Sequence, residues 1–285
     1  MVKYNINTCD QIHNEFMVHF TKACENKCAF CIDAMNKGIK PQKPDVDKIF
    51  ESIYAHKDNV KDVTISGGEP CLYMEELFDL VTRIKEQTTL NVNVISSLPT
   101  SCWTKRELFF QILEKIDGFA FSPQHYKEDI ADKIRGCKSK YNHQTLYKML
   151  PHKEKMCVNI NLIKGYLDTK EEICKCINHY NKIGFTTIKV AELFDKPDLF
   201  VSFENIFNLK LKKPFSCGCK TVFDITPWIP TFKGTFILKR TCFMVNKALH
   251  ASFGDLFKII TRPLFAKNYS FGVIYENGEI KPYWC

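Results

Sequence analysis

Cys24, Cys28 and Cys31 offer the most chemistry, in the run Cys24-Glu-Asn-Lys-Cys28-Ala-Phe30-Cys31. Thiolates at spacings of four and three can converge from one loop onto one face of an iron–sulfur cube. A [4Fe–4S] cube has four irons, so three cysteines leave one iron open to an outside ligand such as an amine with a carboxylate. A structural zinc site instead wants four closed ligands, a C-x2-C pair with a distant partner pair, whereas this triplet offers the one pair Cys28–Cys31 and a third cysteine. Further along stands Ser66-Gly67-Gly68-Glu69-Pro70. Adjacent glycines let backbone approach a ligand without Cβ interference, and the glutamate can accept from an ammonium group.

The elements that must position these residues are legible between residues 15 and 191. Short β-branched runs at Phe16–Phe20, Val63–Ser66, Val92–Ser96, Phe119–Ser122, Val158–Ile163 and Thr187–Ala191 alternate with amphipathic stretches. The helical stripes are Val46, Ile49, Phe50 and Ile53; Met74, Leu77, Phe78, Val81 and Ile84; Leu108, Phe109, Ile112, Leu113 and Ile116; and Ile173, Cys176, Ile177, Tyr180 and Ile183. Capping boxes at Thr104–Glu107 and Asp168–Glu171 open the last two, and Gly184 closes the fourth. A weaker helical signal lies around Gln144–Leu150.

Strand, helix, strand at this spacing implies parallel pairing with right-handed crossovers. The expected fold is α/β, a partial (β/α)6 TIM-like barrel over residues 1–195 with a small cysteine-containing α+β extension over 196–285. Sites in such a fold lie at the C-terminal ends of strands. The cysteine triplet follows the first strand, Gly67-Gly68 the second, Ser96-Ser97 the third and Pro123-Gln124-His125 the fourth. Asn159 and Asn161 alternate within the fifth and so share a face.

In order and position, these motifs resemble the radical S-adenosylmethionine superfamily, whose signature is C-x3-C-x2-C with an aromatic before the last cysteine and GGEP after the second strand. The resemblance implies that Cys24, Cys28 and Cys31 bind a catalytic [4Fe–4S] cluster and that Phe30 packs near the adenine. It implies that Gly67, Gly68, Glu69 and Pro70 hold the methionine amino group of S-adenosylmethionine. Ser96 and Ser97 then reach its ribose or carboxylate, or simply cap a strand end. Val190, within Ile188–Glu192, is placed beside the adenine; separately, if the shared face of Asn159 and Asn161 lines the barrel, it could bind ribose hydroxyls. His125 is a substrate contact on this reading, or a solvated loop histidine. The reaction implied is reductive cleavage to methionine and a 5′-deoxyadenosyl radical that abstracts a substrate hydrogen atom, with a flavodoxin- or ferredoxin-type electron donor.

Cys217-Gly-Cys219, Cys242 and the terminal Cys285 could ligate a second, closed cluster. Phe271–Tyr275 and Ile280–Trp284 flank Asn277-Gly278 and read as a hairpin leading to that last cysteine. This ending resembles the auxiliary-cluster twitch and SPASM domains of the same superfamily, and implies one auxiliary [4Fe–4S] cluster. Its role, whether accepting an electron, ligating substrate or stabilising the domain, stays open. Cys174 and Cys176 lie on a helix where packing accounts for them.

Composition bounds the rest. Fourteen cysteines without an apolar N-terminal signal core point to metal or cluster binding in a reducing, cytoplasmic setting rather than to disulfides. No apolar run approaches the length that spans a bilayer. From Lys210 onward there are 12 Lys and Arg against 4 Asp and Glu, which matches the whole net charge of +8. That excess suits a solvated surface or an anionic small-molecule substrate. Two alternatives are modification of a ribosomal peptide or protein side chain, and a non-enzymatic zinc or cluster protein binding RNA. The stretch before the first strand is short for a leader-peptide-binding domain, which counts against the peptide. Nucleic acid is not the expected partner.

Overall fold

The computed structural model describes residues 15–31, 42–139, 141–193, 196–209, 219–223, 225–240 and 271–281. All six expected strands are present within two residues of their expected ends: β1 Glu15–His19, β2 Asp62–Ser66, β3 Asn91–Ser96, β4 Gly118–Phe121, β5 Met156–Asn161 and β6 Thr187–Ala191. Four more follow, β7 Cys219–Phe223, β8 Thr235–Arg240, β9 Phe271–Tyr275 and β10 Ile280–Lys281. The helices are α1 Val46–Ala55, α2 Met74–Gln87, α3 Ser101–Thr104, α4 Arg106–Lys115, α5 Glu128–Arg135, α6 His143–Met149, α7 Lys170–Ile183 and α8 Phe203–Phe207.

Two compact units share the chain. One comprises His13–Ser122, Asp132–Cys157 and Ser270–Cys285. Its strands run in the order β10-β9-β1-β2-β3-β4, with β1–β2, β2–β3, β3–β4 and β1–β9 parallel and β9–β10 antiparallel. The helix faces cover this sheet because their apolar residues recur at helical spacing. In α2, Met74, Leu77, Leu80, Val81 and Ile84 are all fully buried. Each such side chain contributes about 1.5–3 kcal/mol of transfer free energy.

The other unit comprises Met1–Ile12, Pro123–Ala131 and Val158–Tyr269. There β8 pairs in parallel with β6 and antiparallel with β7. So, of the described strands past residue 195, β8 and β9 extend parallel ladders, one in each unit, while β7 and β10 pair antiparallel with them. Of the expected hairpin, residues 271–281 are described: Gly278 takes φ +80°, and its N–H donates to Tyr275 O at 2.8 Å.

Both capping boxes differ from expectation. Thr104 ends α3 with helical neighbours behind it, so its hydroxyl donates backward to Ser101 O at 3.2 Å. Lys105 then precedes α4 with no side-chain cap. At α7 the cap is Thr169, which accepts from Glu172 N at 3.2 Å. Asp168 is occupied instead by the amide of Gly165, 2.7 Å away. Gly184 closes α7 at φ +126°, as its type predicts.

Candidate active site

The cysteine loop begins where β1 stops, and the β1–β2 ladder continues into it. Phe20 N donates to Ser66 O at 2.9 Å, Gly68 N to Thr21 O at 2.6 Å and Glu69 N to Ala23 O at 2.8 Å. This approach explains the paired glycines. A Cβ on Gly67 would lie 2.8 Å from Thr21 O, and one on Gly68 would lie 2.2 Å from Ala23 O. Gly67 also takes φ +116°, which side chains rarely adopt.

Within the loop, Cys31 N donates to Cys28 O at 3.1 Å, turning the chain at Phe30, which is half-buried. Lys27 N donates to Arg135 O at 2.6 Å. Cys24 is exposed at the surface while Cys28 and Cys31 are half-buried. Burial nonetheless pushes the Cys24 and Cys28 thiols up to about 12, and the sulfurs raise one another further. Arg135 works the other way on Cys28. Deprotonation of such thiols has to accompany metal binding.

This donor set fits a cube. A four-iron cluster takes one thiolate per iron, so three thiols of one loop within electrostatic reach of one another suit it.

Glu69 is 2% exposed and accepts four hydrogen bonds. Ser96 Oγ (2.7 Å) and Cys71 N (3.2 Å) donate to Oε1; Ser97 N (2.8 Å) and Ser97 Oγ (2.7 Å) donate to Oε2. Burial raises its carboxyl above the ordinary value, and these bonds pull against that. Every one of the four partners donates and none carries a charge, so the arrangement suits an ionised carboxylate. Both serine hydroxyls are therefore directed at Glu69. Pro70 opens the 3-10 turn Pro70–Leu72 that Glu69 caps, and is itself buried.

In the other unit, His125 is 1% exposed. Its Nδ1 accepts from Lys127 N at 3.0 Å, and its ring stacks on Tyr126 at 4.7 Å. Its carbonyl accepts from Tyr180 Oη at 2.8 Å, and burial holds the imidazole below its usual range. His125 is thus a packed residue three positions before α5 rather than a solvated one. Asn159 and Asn161 do share one half-buried face of β5, and Asn161 Nδ2 donates to Gln124 Oε1 at 3.0 Å. Val190 is buried in β6.

Cys217, Cys242 and Cys285 lie outside the described residues, and of Cys219 only its backbone place at the start of β7 is described. Cys176 is fully buried on α7, in keeping with a packing role. Sequence reasoning missed Asn26 and Cys137, whose side chains meet beside the cysteine loop. The position of Asn26 between two cysteines was the one available signal.

A family model described as the radical SAM superfamily matches residues 18–186. No curated protein matches the sequence. Among solved structures, SuiB of Streptococcus suis bound to S-adenosylmethionine is 18% identical, with a TM-score of 0.62 over 94% of this chain and 60% of that one. SuiB bound to its precursor peptide SuiA gives 18%, 0.59, 94% and 59%. Methylornithine synthase PylB gives 16%, 0.51, 67% and 58%. The chain thus spans about 60% of the SuiB chains it matches. At these identities the likeness is one of fold, and it bears out the α/β partial-barrel class.

Proposed function

Because the chain belongs to the radical S-adenosylmethionine superfamily, we propose that it cleaves S-adenosylmethionine reductively to start hydrogen abstraction from a polar, anionic small molecule. The observation that carries this reading is the backbone ladder joining the three-thiol loop to Gly68 and Glu69. It sets three thiols beside a buried carboxylate in one compact unit.

Cys24, Cys28 and Cys31 would hold a [4Fe–4S] cluster, which when bound supplies the single electron for sulfonium cleavage. Glu69 supplies the negative charge for the methionine ammonium, with Ser96 and Ser97 fixing its two oxygens. Gly67 and Gly68 leave the space that side chains would fill. Phe30 and Val190 are assigned to the adenine on the family resemblance, and Asn159 to the ribose from its place on the half-buried face of β5. His125, neutral because burial lowers it, is assigned as a substrate contact. Cys217, Cys219, Cys242 and Cys285 are assigned to an auxiliary cluster within residues 196–285. The basic excess after Lys210 supports the anionic substrate. A flavodoxin- or ferredoxin-type donor in the cytoplasm completes the proposal; no described helix is long and apolar enough to cross a membrane.

A second reading, radical modification of a ribosomal peptide, is favoured by the SuiB likeness, which extends over 94% of the chain. Release of 5′-deoxyadenosine in the presence of anionic small molecules or of peptides separates the two. The first test is iron and sulfide per chain after anaerobic reconstitution, in wild type and in Cys217→Ala/Cys219→Ala. About eight irons falling to about four would support both clusters. About four in each would remove the auxiliary cluster, and zinc persisting in place of iron would overturn the radical reading.

A further inference from the structure

We propose that Asn26 and Cys137 are positioning residues that lock the cysteine loop to Glu69 through a directional hydrogen-bond relay. Cys137 Sγ donates to Asn26 Oδ1 at 2.7 Å, Asn26 Nδ2 donates to Ser97 Oγ at 2.9 Å, and Ser97 Oγ donates to Glu69 Oε2 at 2.7 Å. The relay rests on the reading of Cys24, Cys28 and Cys31 as cluster ligands, since Asn26 lies between the first two.

The direction of each bond follows from its acceptor end. A carboxylate has no proton to give, so the hydroxyl proton of Ser97 is committed to Glu69. Ser97 Oγ then has only lone pairs to offer Asn26, and that requires the amide nitrogen to face it. The amide oxygen is left facing Cys137, whose S–H is the donor it needs. Flipping the amide would oppose two acceptors at Ser97 and lose that bond, leaving the amide nitrogen only the weak acceptor of the Cys137 sulfur.

The backbone reinforces the same contact. Lys27, next to Asn26, donates its N–H to Arg135 O at 2.6 Å. Gly136, at φ +66°, would bring a Cβ within 3.1 Å of Lys27 Cβ, so the 135–137 segment comes this close because residue 136 is glycine. One face of the loop is thereby held by Gly68 and Glu69 and another by Arg135 and Cys137. The relay runs through the loop side chain between the two. Its consequence is a constant spacing between the thiols and the carboxylate.

The test uses Cys137→Ala, Cys137→Ser and Asn26→Ala in the full chain, with thermal unfolding to establish that each is folded. Hydrogen exchange of peptides spanning residues 22–31 is measured without iron, and the KM for S-adenosylmethionine and kcat after reconstitution. Cys137→Ala and Asn26→Ala are expected to speed exchange in the loop about tenfold and to raise KM more than they lower kcat. Cys137→Ser, which keeps a donor, is expected to restore most of the protection. Wild-type exchange in Cys137→Ala overturns the relay. So does a serine variant that behaves like alanine, because packing rather than the donated proton would then be at work. If Cys137→Ala does not fold, wild-type loop exchange in Asn26→Ala overturns the relay in its place. Absence of iron from reconstituted wild type would overturn the cluster reading instead, and the exchange data would still decide whether the relay holds the loop.

Discussion

The imidazole of His19 lies nearly flat on the ring of Tyr275, 5.3 Å between centroids and 21° between planes. His19 ends the strand that launches the cysteine loop; Tyr275 ends the strand before the Asn277-Gly278 turn. Glu276 sits 3.4 Å from His19 Nδ1 and 3.6 Å from Lys22 Nζ. Its carbonyl accepts from Asp45 N at 2.8 Å, and Gly278 O accepts from Ser52 Oγ at 2.6 Å. The hairpin is therefore a brace for β1.

Replacing Gly278 tests that brace. Its φ of +80° disfavours any side chain, and a Cβ there would lie 2.5 Å from Lys48 Cβ and 2.7 Å from Lys48 C. Gly278→Ala is expected to cost about 1–3 kcal/mol by overpacking and backbone strain. Chemical denaturation reads the loss, and an unchanged midpoint would show the turn to be adaptable.

Glu276 makes the brace sensitive to acid. Burial raises its carboxyl, but hydrogen bonding and charge from His19, with Lys22, outweigh this and leave it below the ordinary value of 4.5. A carboxyl depressed in the folded state stabilises above its unfolded pKa and loses that contribution as pH falls through its folded pKa. Wild type should therefore exceed Glu276→Gln in stability at neutral pH. The gap should close only below about pH 4.5. Denaturant titrations of both proteins across that range decide it.

At the carboxylate, Ser97→Ala removes a hydroxyl that donates to a buried oxygen, a loss of about 1–3 kcal/mol. The Kd for S-adenosylmethionine should rise tenfold or more, with iron content unchanged. Gly68→Ala should be harsher, because the new methyl meets a backbone oxygen that cannot move aside. Equilibrium dialysis of reconstituted protein measures both. Tight binding by Gly68→Ala would mean that the ladder beside it is dispensable.

The cysteines should separate by role. Cys28→Ala is expected to abolish the loop-bound iron. Cys176→Ala, on a buried helix face, should keep the iron and lower stability by about 1 kcal/mol. Iron analysis beside thermal unfolding distinguishes them; loss of iron in Cys176→Ala would contradict its packing role.

The thiol triplet, the glycine pair and the six barrel strands were readable in the chain because each is a local pattern. Spacing within one loop, strand–helix periodicity and the geometry only glycine allows are set by residues near one another in sequence. Capping was less legible: Asp168 and Thr169 are adjacent and equally suited, and the amide of Gly165 decided which became the cap. The remaining features join distant segments. Ser97 faces Glu69, β9 lies beside β1, and Cys137 reaches Asn26 across 111 positions. A hydroxyl, an amide and a thiol carry no mark of their partner along the chain. Only the packing of parallel strands, which brings their C-terminal ends together, determines which polar groups must satisfy one another there.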